Sequence, residues 1–417
     1  MKIRHALFAA GASAYFFDDQ RAIKKGAAHD GFAYRGKPVT DGFTAVRQAG
    51  ECVCIQLVLD DGSVAGGDAA AVQYSGVGGR DPLFLARRQL PFLRRHIAPR
   101  LEGMAMGPFR EMAARFETLE IGGQRLHTAL RYGLSQALLD ARAKATRKLP
   151  CEVLCEEYGL PVVARRVPIF GQTGDDRMNG ADKMILKQVE ALPHGLINNI
   201  PDKLGRRGEK LKAYIRWLVR RIRALRPSPR YAPSLHLDVY GTLGIAFEGR
   251  LEKVADYLAG LEKDADGFPL YIEGPVDMEG KARQIEALQA VRERLARKGA
   301  RVKLVADEWC NTLEDIRDFA DARACDMVQI KTPDLGGIQN TVESVLYCRS
   351  HGMEAYQGGT CNETDVSARL CVHAALAARP QRMLAKPGMG FDEGYAIVNN
   401  EMQRALRILQ TRSEPAP

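Results

Sequence analysis

The chain predicts an α/β protein built on a TIM-type (β/α)8 barrel, preceded by an N-terminal α+β region that caps it. Three observations carry this expectation. Beyond residue 160, eight short apolar runs alternate with helical stretches. Three of those runs end in a carboxylate, and the three carboxylates recur at about one βα repeat, roughly 35 residues. At about 150 residues per domain, 417 residues call for two domains. The expected division is a cap over 1–160, a barrel over 161–411 and a flexible tail over 412–417.

Taken in order, Lys2 and Arg4 before Ala6-Leu7-Phe8-Ala9-Ala10 imitate a secretory leader only in outline, because the apolar core is too short before Gly11. The segment continues through Tyr15-Phe16-Phe17 into Asp18-Asp19 and reads as an opening strand and turn. Residues 52–59 alternate and are β-branched, Asp60-Asp61-Gly62-Ser63 supplies a turn, and Val64 starts the return strand of a hairpin. Residues 83–101, 109–119 and 125–146 carry helical periodicity. The glycine-rich stretch Tyr74 to Asp81 lacks the strand-Gly-x-Gly-x-x-Gly-helix context of a dinucleotide site and reads as a loop. Barrel strands are expected at 167–172, 195–199, 235–241, 270–275, 303–308, 327–331, 354–359 and 382–386.

Composition removes several function classes. A hydrophobic share of 46% and a charged share of 27% are those of a folded globular chain, which excludes disordered, collagen-like and disulfide-scaffold proteins. No run approaches the ~18 apolar residues of a membrane span, so no membrane association is expected. The nine cysteines are odd in number and none pairs with histidine at zinc spacing, pointing to reduced thiols in the cytoplasm. Cys52 and Cys54 alternate in an apolar run and read as buried small side chains. A net charge of +9 raises the question of polyanions. The densest basic stretch, 203–230, nevertheless carries Leu211, Tyr214, Ile215, Leu218, Val219, Ile222 and Leu225 at helical spacing, so its arginines form the outer face of an amphipathic helix. No nucleic-acid partner is expected.

The chemistry lies on the barrel rim. Asp238, Glu273 and Asp307 each close an apolar run. Successive strands of a barrel share one C-terminal rim, so the three carboxylates converge there. Like charges so placed repel unless a cation sits among them, and oxygen-only ligation points to Mg²⁺, with Mn²⁺ as a substitute. On the next strand, period-two alternation puts Gln329 and Lys331 on one inward side. Desolvation and a nearby cation lower the proton affinity of such a lysine and make it a proton acceptor. A metal held by three carboxylates beside a basic lysine suits removal of a proton from carbon next to a carboxylate, with the metal stabilising the enediolate. Phe170 and Gln172 alternate inward on the first strand, and Gly358-Gly359 permits close backbone approach before Thr360. His236 shares Asp238's face two residues deeper and reads as a packed, hydrogen-bonded interior residue.

Several contiguous blocks are specific. Asp18-Asp19-Gln20-Arg21-Ala22-Ile23-Lys24-Lys25-Gly26, Gly174-Asp175-Asp176-Arg177, Leu192-Pro193-His194, Val305-Ala306-Asp307-Glu308-Trp309-Cys310-Asn311, Val328-Gln329-Ile330-Lys331-Thr332-Pro333-Asp334-Leu335-Gly336-Gly337 and Gly358-Gly359-Thr360-Cys361-Asn362-Glu363-Thr364 closely resemble the methylaspartate ammonia-lyase family of the enolase superfamily. Enolase-superfamily sites use a Lys or His base with one or two Mg²⁺ ions.

The resemblance spans nearly the whole chain. It implies reversible elimination of ammonia from threo-3-methylaspartate to mesaconate, requiring Mg²⁺ and activated by K⁺, in a homodimer acting on a small amino-dicarboxylate. It assigns Asp238, Glu273 and Asp307 to the metal, Lys331 to the C3 proton and His194 to a second acid/base role on the opposite face. Gln172, Gln329, Thr360 and Cys361 match substrate-contacting positions, and Gln73, Phe170, Tyr356 and Leu384 match the pocket lining. The family pattern has cysteine where Gln357 stands and alanine where Gly171 stands, both beside substrate-facing residues. The alternative is another superfamily activity, a cycloisomerase or epimerase using the same metal site and lysine.

Overall fold

The computed structural model describes residues 1–413. Eight parallel strands close on themselves in chain order: Ile169–Phe170, Ala191–His194, Ser234–Asp238, Leu270–Glu273, Lys303–Ala306, Met327–Ile330, Glu354–Gln357 and Arg382–Leu384, the last pairing with the first. The closed α/β barrel expected from the apolar runs is therefore present. Its strands read as continuous apolar runs because helices cover the outside while side chains fill the inside. Phe170, Ala191, Tyr271, Val305, Met327, Tyr356 and Leu384 form that interior layer.

The strands are shorter than the expected runs, and this matters for the chemistry. Asp238 and Glu273 are the last residues of their strands and lie in register side by side, whereas Asp307 and Lys331 sit one residue past theirs. The second strand departs from expectation. It is Ala191–His194, not 195–199, because His194, Gly195 and Leu196 take positive φ (64°, 80° and 47°) and end the extended chain. The apolar residues after the turn had imitated a strand. The correction moves His194 to the C-terminal rim, where barrel chemistry is done. The final helix, Asp392–Ser413, runs two residues into the segment read as tail; Glu414 to Pro417 lie outside the described residues.

The N-terminal region is an antiparallel sheet of Ile3–Asp18, Arg47–Leu59 and Val64–Ala70, with the expected hairpin joining the last two. Helix Thr128–Thr146 lies on this sheet through a glycine pair: a Cβ on Gly133 would sit 2.5 Å from the backbone nitrogen of Ala69, and one on Gly67 would strike the Gly133 carbonyl. Gly133→Ala improves helix propensity by up to about 1 kcal/mol. The contact it meets is backbone, which cannot move aside, so overpacking of about 1–3 kcal/mol outweighs that gain and a net loss of up to about 2 kcal/mol is expected in denaturant unfolding.

The cap reaches the barrel rim through several hydrogen bonds. The Ala14 amide donates to the Glu363 carbonyl (3.2 Å), and Asn362 Nδ2 donates to the Phe16 carbonyl (3.2 Å). Arg80, from the glycine-rich loop, donates to Asp334 (2.8 Å) and Asn311 (3.2 Å) in the loops after the sixth and fifth strands.

Candidate active site

A cavity of about 480 Å³ lies between the cap and the barrel mouth. It is lined by His194, Asp238, Asp307, Gln329 and Lys331 from the barrel rim, and by Gln73 from the cap. Gln172, Tyr356, Thr360, Cys361 and Leu384 complete the part of the wall named from the sequence. Glu273 and Phe170 do not line it. Both are fully buried one layer below: Phe170 stacks on His236 (centroids 4.2 Å apart), and Glu273 lies in a tight hydrogen-bonded nest.

That nest is orderly. His236 accepts from Arg382 at Nδ1 (3.3 Å), which leaves Nε2–H to donate to Glu273 Oε2 (2.8 Å). Burial, with Arg382 nearby, holds the His236 imidazole neutral. Glu273 Oε1 accepts from Gln329 Nε2 and from the Tyr356 hydroxyl, each at 2.7 Å. With its nitrogen committed, Gln329 keeps a buried Oε1 that has no hydrogen-bond partner among the described residues.

Electrostatics single out the acid cluster. His194, Asp238 and Glu273 offer ligand atoms within 4.8 Å of one another. Burial pushes Asp238 well above the usual carboxylate range, and the neighbouring Glu273 and Asp307 add to the shift. Burial likewise raises Glu273, and it pushes Asp307 up to about 7. Asp238 and Glu273 offer the oxygen ligands a hard divalent cation takes, whereas Asp307 lies outside this 4.8 Å cluster and His194 inside it.

Among the described residues, the cation in direct contact with Asp307 is Lys331, whose Nζ lies 2.7 Å from Oδ1. Burial alone would lower the Lys331 ammonium, as the sequence reading anticipated. The Asp307 and Glu308 carboxylates outweigh it and hold the proton above the ordinary lysine range. His194 shows the opposite balance: burial lowers it to about 4, so it is neutral at pH 7, with Nε2 3.5 Å from Asp238 Oδ2.

The family model for the methylaspartate ammonia-lyase C-terminus matches residues 161–411, and that for the N-terminus matches residues 1–159. The chain belongs to the methylaspartate ammonia-lyase family. The methylaspartate ammonia-lyase of Citrobacter amalonaticus is 63% identical over 412 residues, covering 99% of this chain and 100% of that protein. Its crystal structure containing (2S,3S)-3-methylaspartic acid superposes with a TM-score of 0.97, covering 98% of this chain and 100% of that one. The Mg complex of β-methylaspartase from Clostridium tetanomorphum, 51% identical, gives 0.96 over 99% and 100% of the two chains. The L-Ala-D/L-Glu epimerase of Bacillus subtilis, at 17% identity and a TM-score of 0.63 over 94% and 90% of the two chains, shares the fold alone. As a family member the protein is an ammonia-lyase, a carbon–nitrogen lyase.

Two family departures turn out to face away from the lyase cavity. Gln357 is fully buried and donates to the Cys371 carbonyl (2.7 Å) on the outer side of its strand. A Cβ on Gly171 would meet Met184 and Phe391 rather than the site. Alternation explains both, since each follows an inward residue, Tyr356 and Phe170.

Several cavity residues escaped the sequence reading: Asp18, Arg47, Tyr74, Arg80, Tyr240 and Glu308. Asp18 is held by both Arg47 nitrogens at 2.7 Å and accepts from Gln73 Nε2 at 2.6 Å, which turns Gln73 Oε1 toward Cys361 Sγ (3.5 Å). The Asp307-Glu308 dipeptide was the available signal for Glu308, and the glycine-rich loop was the signal for Tyr74 and Arg80. A second cluster, Cys52, Cys54 and Asp68, also brings ligand atoms within 4.8 Å, but it belongs to the cap sheet and burial keeps both thiols protonated.

Among the described residues, no helix is long and apolar enough to cross a membrane.

Proposed function

We propose that this protein catalyses the reversible elimination of ammonia from threo-3-methylaspartate to give mesaconate, with Lys331 as the base for the C3 proton and Mg²⁺ held by Asp238, Glu273 and Asp307. The observation that supports the reading is the close approach of Asp238 and Glu273, with the Lys331–Asp307 ion pair on the cavity wall beside them. Mg²⁺ bound there supplies Lewis-acid stabilisation of the negative charge that builds on the substrate carboxylate next to C3. Mn²⁺ fits the same oxygen donors, and K⁺ is proposed as activator on the family resemblance.

The chain's own residues do the rest. Lys331 must be neutral to accept a proton, and it loses its main anionic partner whenever Asp307 is committed to a cation. Neutral His194 stands on the second barrel strand and Lys331 just past the sixth. In a closed ring of eight these positions lie diametrically opposed, so the two groups face opposite sides of a substrate between them. Gln172, Thr360 and Cys361, with Gln73 and Gln329, present the polar wall for the dicarboxylate, while Tyr356 and Leu384, backed by Phe170, present the apolar one. The cap excludes water from the mouth, which strengthens every charge interaction inside. A cytoplasmic homodimer completes the proposal, supported by the free state of all nine cysteines and the commonness of two-fold assemblies.

The test is direct incubation with 3-methylaspartate and Mg²⁺, following the ultraviolet absorbance of the conjugated product together with free ammonia. A cycloisomerase or epimerase would release no ammonia. His194→Ala is expected to leave C3 exchange of the threo substrate within about tenfold of wild type, while an acid/base group of this kind contributes about 10²–10⁴-fold to exchange from the opposite face. Deuterium incorporation into the threo and erythro isomers measures both.

A further inference from the structure

Behind the polar wall lies a fully buried ion pair. Lys386, just past the eighth strand, donates to Glu363 Oε1 at 2.9 Å, and both side chains are 0% exposed. The same oxygen accepts from the Thr332 hydroxyl (2.6 Å) and from the Thr360 amide (3.4 Å), while Lys386 also donates to Thr332 Oγ1 (2.9 Å). Glu363 Oε2 accepts from Tyr132 of the cap helix (3.1 Å) and from Ser367 (3.3 Å). One carboxylate thus ties the residue after Lys331, the backbone of Thr360, the end of the eighth strand and the cap. Gly359, a cavity-lining residue at φ 136°, rests directly on the pair: a Cβ there would clash with Glu363 Oε1 and lie 2.5 Å from Lys386 Nζ.

We infer that Glu363 and Lys386 are a positioning pair that fixes the Gly359–Cys361 wall relative to Lys331, an inference that rests on the function proposed above. A buried ion pair is a poor device for stability alone, because apolar or neutral replacements of similar volume commonly cost nothing, whereas removal of one partner strands a charge. Its value here is geometric. Neither side chain touches the cavity, yet both substrate-facing segments hang from it.

The test is the charge-free double variant Glu363→Gln/Lys386→Met in the full-length, Mg²⁺-loaded enzyme, with Thr332→Val as a milder companion should the double variant fold poorly. KM reports the folded active population whatever its size, so it separates positioning from bulk stability. The expected result is a KM for 3-methylaspartate raised at least about tenfold in the double variant and about threefold in Thr332→Val, with the melting temperature of the latter little changed. KM values within about twofold of wild type in both variants, whatever happens to the yield of active enzyme, overturn the inference. Absence of wild-type turnover overturns the substrate reading and this inference together, whereas wild-type turnover with unchanged variant KM overturns this inference alone.

Discussion

Replacing Lys331 with alanine is expected to lower turnover by about 10²–10⁴-fold, the contribution of a positioned general base, and to remove solvent exchange of the C3 proton. The loss should fall on the proton-transfer step, because Lys331 lines the cavity without being one of the three carboxylates. A second consequence follows from the ion pair with Asp307 at 2.7 Å. Without the ammonium, the buried acids lose their nearest counter-charge, so the metal-free variant should melt below the wild type, and Mg²⁺ should recover most of the difference. Deuterium exchange monitored by NMR and thermal unfolding with and without Mg²⁺ check the two arms. Exchange persisting at the wild-type rate would remove Lys331 from the mechanism.

Chelation is the second large effect. Lewis-acid stabilisation worth several kcal/mol corresponds to at least about 10²–10³-fold in rate, so EDTA should reduce ammonia release by that much and added Mg²⁺ should restore it. Stability carries an independent signature. Burial raises the folded-state Asp238 and Asp307 above their unfolded values, Asp307 to about 7. A raised acid stabilises the fold below its unfolded pKa, and that contribution is lost as pH rises through the folded pKa. The metal-free protein should therefore lose stability between about pH 4 and pH 7, the window between the unfolded carboxylate and folded Asp307. Lys331 remains protonated across this window and adds no slope. Mg²⁺ competes with protons for the same oxygens, so its thermal shift should be larger at pH 8 than at pH 5. Activity indifferent to EDTA, with a flat stability profile over that window, would refute the cation site.

Much of the fold was legible for a simple reason. Parallel strands buried on both faces leave apolar runs, and seven of the eight were found where the chain shows them. The second was misplaced because Leu196 and Ile197 continue the apolar run beyond a turn that only positive φ at His194, Gly195 and Leu196 reveals. Among candidate residues, Asp238, Asp307, Gln329 and Lys331 were readable because rim position and alternation follow from strand ends. Glu273 and Phe170 were placed on the correct face but not at the correct depth, since depth depends on where neighbouring strands stop. Arg80 and Glu308 carried only a local signal, and Asp18 none, because their partners lie on segments far apart in the chain, Arg80 reaching Asp334 from the cap.

By itself, the sequence determined which oxygens and which amine share the barrel rim: period-two alternation and a regular βα repeat are local properties, and they survive any packing of the surrounding helices. Only the tertiary structure decided the state of those groups. Lys331 keeps its proton because Asp307 and Glu308 stand beside it, Glu273 is locked by His236, Gln329 and Tyr356, and the Thr360 wall leans on a buried pair whose lysine comes from the loop after the eighth strand. Each of these depends on contacts between residues distant in sequence, whose strengths change steeply with distance and burial.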